Sequence, residues 1–326
     1  MKILYAIQGT GNGHLARATE IVPILKTMAE TDVLVSGIQG DLKLPFDVKY
    51  KHYGLSFILG KKGGVSFSKT LLKLKPFRFI KDVYKLPLDN YDLVLCDFEP
   101  VAAWACKLRG KKAVGVSHQN AVLHPNAPKP QKADWLGNTI LKKYAPSTKK
   151  YGFHFQELDE NNFTPVIRSA IRKAKVKKLS HYTVYLPAYS DDEIIAALSP
   201  FNEVRWEVFS KHSAKNDEQG NIRIRPVSLE HFTQSFTTCT GILCTAGFET
   251  PAEAIFMGKK LCVIPMKKQY EQACNAAFLG EMGVIVLPEL KNQTKKIDEW
   301  INQSDSLQIN YPDHTLEILA NILHSA

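Results

Sequence analysis

Apolar positions along this chain come in short runs separated by stretches of helical spacing. The run KILYAI (2–7) is nearly unbroken, as a strand buried on both faces should be. A glycine-rich turn follows. Ala18, Ile21, Val22 and Leu25 then recur at the spacing of one helical face, which predicts a helix over 14–29. Further strands read as 32–37, 92–97, 112–117 and 151–155, with helical pieces between them. The stretch 166–178 has no strong apolar face and reads as a linker. A second alternating set then begins. Its strands are expected at 181–187, 205–209, 221–227, 241–245, 259–265 and 283–288. Its helices are expected near 191–198, 228–235, 249–257, 269–281, 293–303 and 314–323. Strands alternating with helices predict parallel sheets covered on both faces. The fold class is therefore α/β, with two doubly wound, Rossmann-like domains and a cleft between them. We place the domains at 1–167 and 179–326, joined by a linker at 168–178, with the last helix returning to pack on the first domain. Ligands of such sheets bind outside the carboxyl ends of the strands.

Composition agrees and narrows the choice. A chain of 326 residues suits about two domains. With 44% hydrophobic and 23% charged residues it can bury its own cores, and disorder, collagen and coiled coil are excluded. No apolar run approaches the ~20 residues that span a bilayer. Only five apolar residues, Ile3 to Ile7, separate Lys2 from Gln8, and a secretory signal needs about 7–15. The expectation is a cytoplasmic protein. The six cysteines form no C-x-x-C pair, have no histidine at zinc spacing, and mostly sit in apolar stretches, so they read as small core residues.

Charge is unevenly placed. The net is +10, but residues 1–178 carry 30 basic and 14 acidic side chains, and residues 179–326 carry 12 and 18. Such asymmetry points to an anionic partner facing the first half. Residues 49–85 alone hold ten Lys or Arg and one acid, Asp82. Beyond Pro76, Arg78, Lys81 and Lys85 fall on one side of a helix, and Phe79, Ile80 and Val83 roughly on another. Cations beside apolar side chains suit an anionic membrane surface. A solvated helix with a core face fits the same pattern. No recognition motif accompanies the charge, so nucleic acid is not an expected partner. Gly54, Gly60, Gly63 and Gly64 suggest a loop over the cleft.

Two segments carry chemistry. The first is Gly9-Thr-Gly11-Asn12-Gly13-His14, between the first strand and the first helix. From Gly11 it reads G-x-G-x-x-A, a fair dinucleotide fingerprint. A nicotinamide site also wants an acid closing the second strand, and that strand ends Val35-Ser36-Gly37. The other reading is that the glycines admit a substrate and that His14, at a helix N-terminus, is kept neutral by the helix dipole and serves as a base. An ordinary polar residue on a first turn is the plain alternative. The second segment runs from Cys244 to Ala276. It comprises a strand, a small-residue turn (Thr245, Ala246, Gly247, Phe248), a helix, a glycine stop at Gly258, a strand and a helix. Amides of Ala246, Gly247 and Phe248 would make an anion site suited to a diphosphate. Glu253 could accept ribose hydroxyls, and Glu271 and Gln272 could reach sugar hydroxyls. An ordinary capped βαβ unit remains the plain alternative.

The second segment resembles the donor-binding signature of GT-B glycosyltransferases, in particular the MurG and UDP-glycosyltransferase families. Thr250, Glu253, Gly258, Pro265, Glu271, Gln272, Asn275 and Ala276 match it. The opening GTGNGH resembles the same family's glycine loop, with His14 on its acceptor-side histidine. In VSHQN (116–120), Gln119 and Asn120 match an H-E-Q-N stretch, while Ser117 and His118 do not. Thr164-Pro-Val-Ile-Arg168 resembles the entry to the linker, which carries a donor-contacting arginine. Segments 40–90 and 125–150 show no match, and the glycine turn expected at the start of the second domain reads Leu186-Pro-Ala-Tyr-Ser190.

The resemblance implies an inverting, metal-independent transferase with no cofactor. It would move a sugar from a nucleotide-sugar, UDP-linked, onto a lipid-linked or cell-envelope glycan, working on the cytoplasmic face of a membrane. It makes 1–167 the acceptor side and 179–326 the nucleotide-sugar side. His14 would be the base, with Asp97 orienting it or acting itself. Arg168, Thr245, Ala246, Gly247, Phe248, Thr250, Glu253, Glu271 and Gln272 would bind donor, and Gly11, Asn12, Gly13, His118, Gln119 and Asn120 would face the acceptor. Asp97-Phe-Glu99 is the nearest approach to a metal motif, and hard ions want more oxygens than it offers. Asp97 as a helix cap is the plain alternative. A UDP-N-acetylglucosamine 2-epimerase-like enzyme and a non-catalytic binder of sugar nucleotide or anionic glycan stay open beside the transferase.

Overall fold

The computed structural model describes residues 1–37, 40, 42–55, 75–132 and 134–325. Two seven-stranded sheets form two lobes. The first contains β1 (Lys2–Gln8), β2 (Glu30–Ser36), β3 (Tyr50–His52), β4 (Leu93–Asp97), β5 (Val114–Val116), β6 (Lys149–Phe153) and β7 (Asn162–Phe163), in the order β3-β2-β1-β4-β5-β6-β7. All its pairings are parallel. The second contains β8 (His181–Tyr185), β9 (Arg205–Ser210), β10 (Asp217–Gln219), β11 (Ile222–Pro226), β12 (Gly241–Thr245), β13 (Lys260–Ile264) and β14 (Ile285–Val286). Their order is β10-β11-β9-β8-β12-β13-β14, and only the β10–β11 hairpin is antiparallel.

Both sheets are doubly wound, as the alternation of periods predicts. Strand β1 is buried from Ile3 to Gln8 because helices cover both faces. Chain order reverses between β1 and β4 in the first sheet and between β8 and β12 in the second. Those switch points open a crevice at the carboxyl ends of the strands. The glycine turn and Asp97 fall at the first of them, and the turn Ala246–Phe248 at the second. Helix Gly13–Met28 packs against helix Glu249–Phe256 of the second lobe and against the last helix, Thr315–Ser325. Lys149 Nζ donates to the Ser325 carbonyl at 2.7 Å, so the chain end returns to the first lobe.

Some local expectations shift. β3, β7 and β10 span two or three residues each, too few for a period to show. β6 begins at Lys149 and ends at Phe153, so His154 and Phe155 leave the sheet and pack between the lobes. The stretch read as linker contains the short helix Ser169–Arg172, with Ile171 buried. Residues 56–74 of the basic segment, with the expected loop glycines 60, 63 and 64, lie outside the described residues.

Candidate active site

The two switch points face each other across a cavity of about 830 Å³. That volume is within the usual range for a small-molecule site. Gly11, Asn12, Gly13, His14, Arg17 and Phe98 line one wall. Thr245, Gly247, Phe248, Glu249, Thr250 and Glu253 line the other.

His14 sits on the first turn of helix Gly13–Met28, where the chain leaves β1 through Gly11. Gly11 has a φ of +88°, a left-handed turn that suits glycine. His14 Nδ1 lies 2.7 Å from Asp97 Oδ1. Arg17 Nη2, a donor, also approaches Nδ1 at 3.0 Å, but the shorter contact is to a carboxylate, which only accepts, so we assign the proton to Nδ1 and leave Nε2 as the basic nitrogen. Nε2 faces the amide of Gln119 at 3.3 Å. Burial alone would lower the His14 pKa. The charge and hydrogen bond of Asp97 outweigh it, and the net shift is upward from 6.5. This corrects the expectation that the helix dipole governs the ring. The dominant neighbour is a buried carboxylate 2.7 Å away.

Asp97 is fully buried at the end of β4 and is held by four donors. Arg17 gives Nη2 at 2.6 Å and Nε at 3.2 Å, Tyr5 gives its hydroxyl at 3.3 Å, and His14 completes the set. Burial opposes its charge, yet Arg17 and His14 hold its pKa below the ordinary range. The helix-cap alternative belongs instead to Glu99. Its oxygens accept from Val101 N and Ala102 N, each at 2.7 Å, at the start of helix Pro100–Leu108. Burial pushes the Glu99 carboxyl up to about 7. Between the two acids, Phe98 takes a φ of +52°, a costly conformation for a bulky residue. That turn sends its ring into the cavity, stacked on Tyr144 at 4.7 Å and parallel to His14 at 6.3 Å.

On the other wall, Arg168 and Glu253 meet as a bidentate pair, with Nε to Oε1 at 2.6 Å and Nη2 to Oε2 at 2.7 Å. The two residues assigned to separate parts of a donor thus hold each other. Thr245, Gly247, Phe248 and Thr250 reach the cavity, but Ala246 is buried behind them. Two of the three expected anion-binding amides are already committed. Ala246 N donates to Ile264 O at 3.1 Å, and Gly247 N to Thr245 O at 2.8 Å. What remains is the first turn of helix Glu249–Phe256, whose leading amides have no partner within the helix. Gln272 accepts from Met266 N at 2.9 Å, and Glu271 accepts from Gln119 across the cleft at 2.9 Å.

Of the residues expected to face the acceptor, Gly11, Asn12, Gly13, His118 and Gln119 line the cavity. His118 is buried and lies flat on Phe248 of the other lobe, with ring centroids 3.9 Å apart and Nδ1 2.8 Å from the Phe153 carbonyl. Burial lowers its pKa. Asn120 turns away, because its Nδ2 donates to the Tyr151 carbonyl at 3.0 Å. Sequence reasoning missed Arg17 and Glu249. Arg17 Nη1 pairs with Glu249 across the cleft, and Arg17 is only 1% exposed. Its spacing from His14 places both on one helical face, which was the available signal.

This is a two-lobed, doubly wound α/β fold with a histidine–aspartate pair on one wall of its cleft and a helix terminus on the other. The chain belongs to glycosyl transferase family 1, whose family-wide sequence profile matches residues 1–303, and it is a glycosyltransferase. No curated protein matches it. Among solved structures it is similar to the glycosyltransferase VinC in complex with DTDP, at 13% identity, TM-score 0.59 and 99% of each chain. It is similar to Phytolacca americana UGT2, solved with UDP-2fluoro-glucose and pterostilbene, at 11% identity, TM-score 0.62 and 99% of each chain. MurG of Acinetobacter baumannii is similar at 14% identity and TM-score 0.54, over 98% of this chain and 99% of that one. At such identities the likeness is one of fold, and the fold is the GT-B arrangement expected from the sequence.

Proposed function

We propose that this glycosyltransferase moves a sugar from a nucleotide-sugar, UDP-linked, to a lipid-linked or cell-envelope glycan, with inversion and without a metal ion. The observation that carries the reading is the His14–Asp97 pair at 2.7 Å, beside a cavity that His14 lines together with the first turn of helix Glu249–Phe256. In the reaction the acceptor hydroxyl gives its proton to His14 Nε2 as its oxygen bonds to the anomeric carbon. The bond from that carbon to the diphosphate oxygen breaks, and the diphosphate leaves with the electron pair. One displacement from the opposite face inverts the centre. Asp97 holds His14 in the productive tautomer and stabilises the imidazolium that forms. The first-turn amides of the donor-side helix take up the growing charge on the diphosphate, with Arg168 contributing through Nη1, the nitrogen that does not engage Glu253. We assign the sugar hydroxyls to Glu271 and Gln272, both of which line the cavity.

Helix Pro76–Lys85 supports the membrane part of the reading. Phe77 is 87% exposed, Ile80 50% and Tyr84 65%, at one helical spacing. Val83 is buried and Phe79 packs inward, so the face turned to solvent is the apolar one flanked by Arg78, Lys81 and Lys85. Each basic residue near an anionic bilayer adds about 1 kcal/mol. Among the described residues no helix is long and apolar enough to cross a membrane.

The test is a thermal-shift screen against UDP-, GDP- and TDP-sugars, followed by product analysis by NMR. A UDP-sugar should raise the melting temperature, since it binds only the folded state. The product should carry the inverted linkage, and His14→Ala should abolish it. Retention of configuration, or conversion of the sugar nucleotide with no acceptor present, would overturn the reading, the latter in favour of an epimerase.

A further inference from the structure

Glu249 belongs to the donor-side lobe but docks on the helix that carries His14. It opens helix Glu249–Phe256, lines the cavity, and pairs through Oε1 with Arg17 Nη1. Its other oxygen lies 2.7 Å from where a Cβ on Gly13 would stand. Gly13 and Arg17 are four residues apart and share one face of their helix. The carboxylate settles between them on the first turn, where negative charge is favoured. Any side chain at position 13 would meet it. Glycine there is explained by this docking as much as by the turn before it.

Arg17 completes the connection. Its Nε and Nη2 hold Asp97, at 3.2 and 2.6 Å, while Nη1 holds Glu249. One buried guanidinium therefore joins a carboxylate from each lobe, and His14 hangs on the first of them. We propose that Arg17 and Glu249 are positioning residues of the transfer. Docking of the donor-side lobe, through Glu249, fixes Arg17 on Asp97 and so sets the aim and basicity of His14. The proposal rests on His14 as the base.

The charged and titratable groups facing His14 are Asp97 from β4, Arg17 from its own helix, Glu249 from the donor-side helix, and Glu271, which is reached through Gln119. Tyr5 of β1 contacts Asp97 behind them. Removing the Glu249 charge leaves Arg17 less neutralised beside His14. Protonation of the ring then becomes less favourable, and its pKa falls.

The experiment compares wild type with Glu249→Gln, Arg17→Lys and the double variant, each checked for folding by circular dichroism. His14 is titrated by NMR without substrate, and transfer is measured against pH. We expect the His14 titration and the acid limb of kcat to move to lower pH in Glu249→Gln. We expect kcat to fall about tenfold, part of what a positioned base contributes, with KM changing less. The double variant should lose little more than the worse single one, because the pair acts as a unit. An unshifted His14 titration with additive losses overturns the proposal. If the titration shifts but His14→Ala still transfers sugar, the base assignment falls and the coupling of Glu249 to His14 stands. If Glu249→Gln does not fold, Arg17→Lys carries the test, and an unshifted His14 titration with a wild-type pH profile in it overturns the proposal.

Discussion

Replacing Asp97 by Asn tests the central pair most directly. The carboxylate is fully buried and accepts four hydrogen bonds with two oxygens. An amide has one oxygen. Set toward His14 Nδ1 and Arg17 Nη2, it turns its NH2 onto Arg17 Nε and the Tyr5 hydroxyl. Set the other way, the NH2 faces Nδ1 and drives the proton to Nε2, where the base is needed. Neither orientation keeps the site. Removing one partner of a buried ion pair costs about 3–5 kcal/mol. Arg17 retains Glu249, so the loss belongs at the lower end, about 3 kcal/mol. Loss of a positioned base lowers turnover by about 10²–10⁴.

Sign and pH window follow from the His14 shift. Its folded pKa is raised above 6.5, chiefly against burial by the Asp97 charge. The stabilisation from the protonated pair is fully present below 6.5, the unfolded value, and is lost as pH rises through the higher folded value. In the proposed mechanism catalysis runs the other way, because His14 must be neutral to take the proton. Wild-type turnover should therefore decline on acidification at a pH above 6.5. In Asp97→Asn that limb should move down, and the pH dependence of stability should flatten. Initial rates of nucleotide release and thermal melts across the same pH range measure both. An Asp97→Asn enzyme with wild-type turnover and an unmoved acid limb would refute the reasoning.

The doubly wound α/β class was legible because uninterrupted apolar strands and one-faced helices are properties of the local sequence, whereas the order of strands in each sheet was not. The glycine turn and His14 were legible for the same reason. What sequence could not supply was pairing across the cleft. Arg168 and Glu253 were assigned separate parts of a donor, yet they lie 85 positions apart in the chain and bind each other. Arg17 and Glu249 are separated by 232 positions and were not singled out at all. Ion pairs of that reach leave no period behind. Amide availability fails for a related reason. Whether Ala246 N faces a ligand or Ile264 O depends on where β13 ends relative to β12, and that register is set by the whole sheet. Asp97 and Glu99 show how two acids one residue apart divide their roles. The reversed φ of Phe98 sends one toward His14 and the other onto a helix terminus.

Two further outcomes are expected. At Gly247 an added Cβ meets no heavy atom within 4 Å and faces the cavity, so Gly247→Ala should leave stability unchanged or raise it by about 0.4–1 kcal/mol. Calorimetry should nonetheless show weaker UDP binding, and undiminished affinity would remove the diphosphate from this turn. The second concerns helix Pro76–Lys85, where Phe77→Ser with Ile80→Ser strips the exposed apolar face and leaves the buried Val83 and the cations in place. Burying one such side chain contributes about 1.5–3 kcal/mol, so co-sedimentation with anionic vesicles should fall more than tenfold. Turnover of a short soluble acceptor should not change, because neither side chain lines the cavity. If the doubly substituted protein sediments like wild type, the cations alone hold the surface, and high salt should then release both proteins equally. If wild type does not sediment at all, the helix has no membrane role, and the acceptor must reach the cleft from solution.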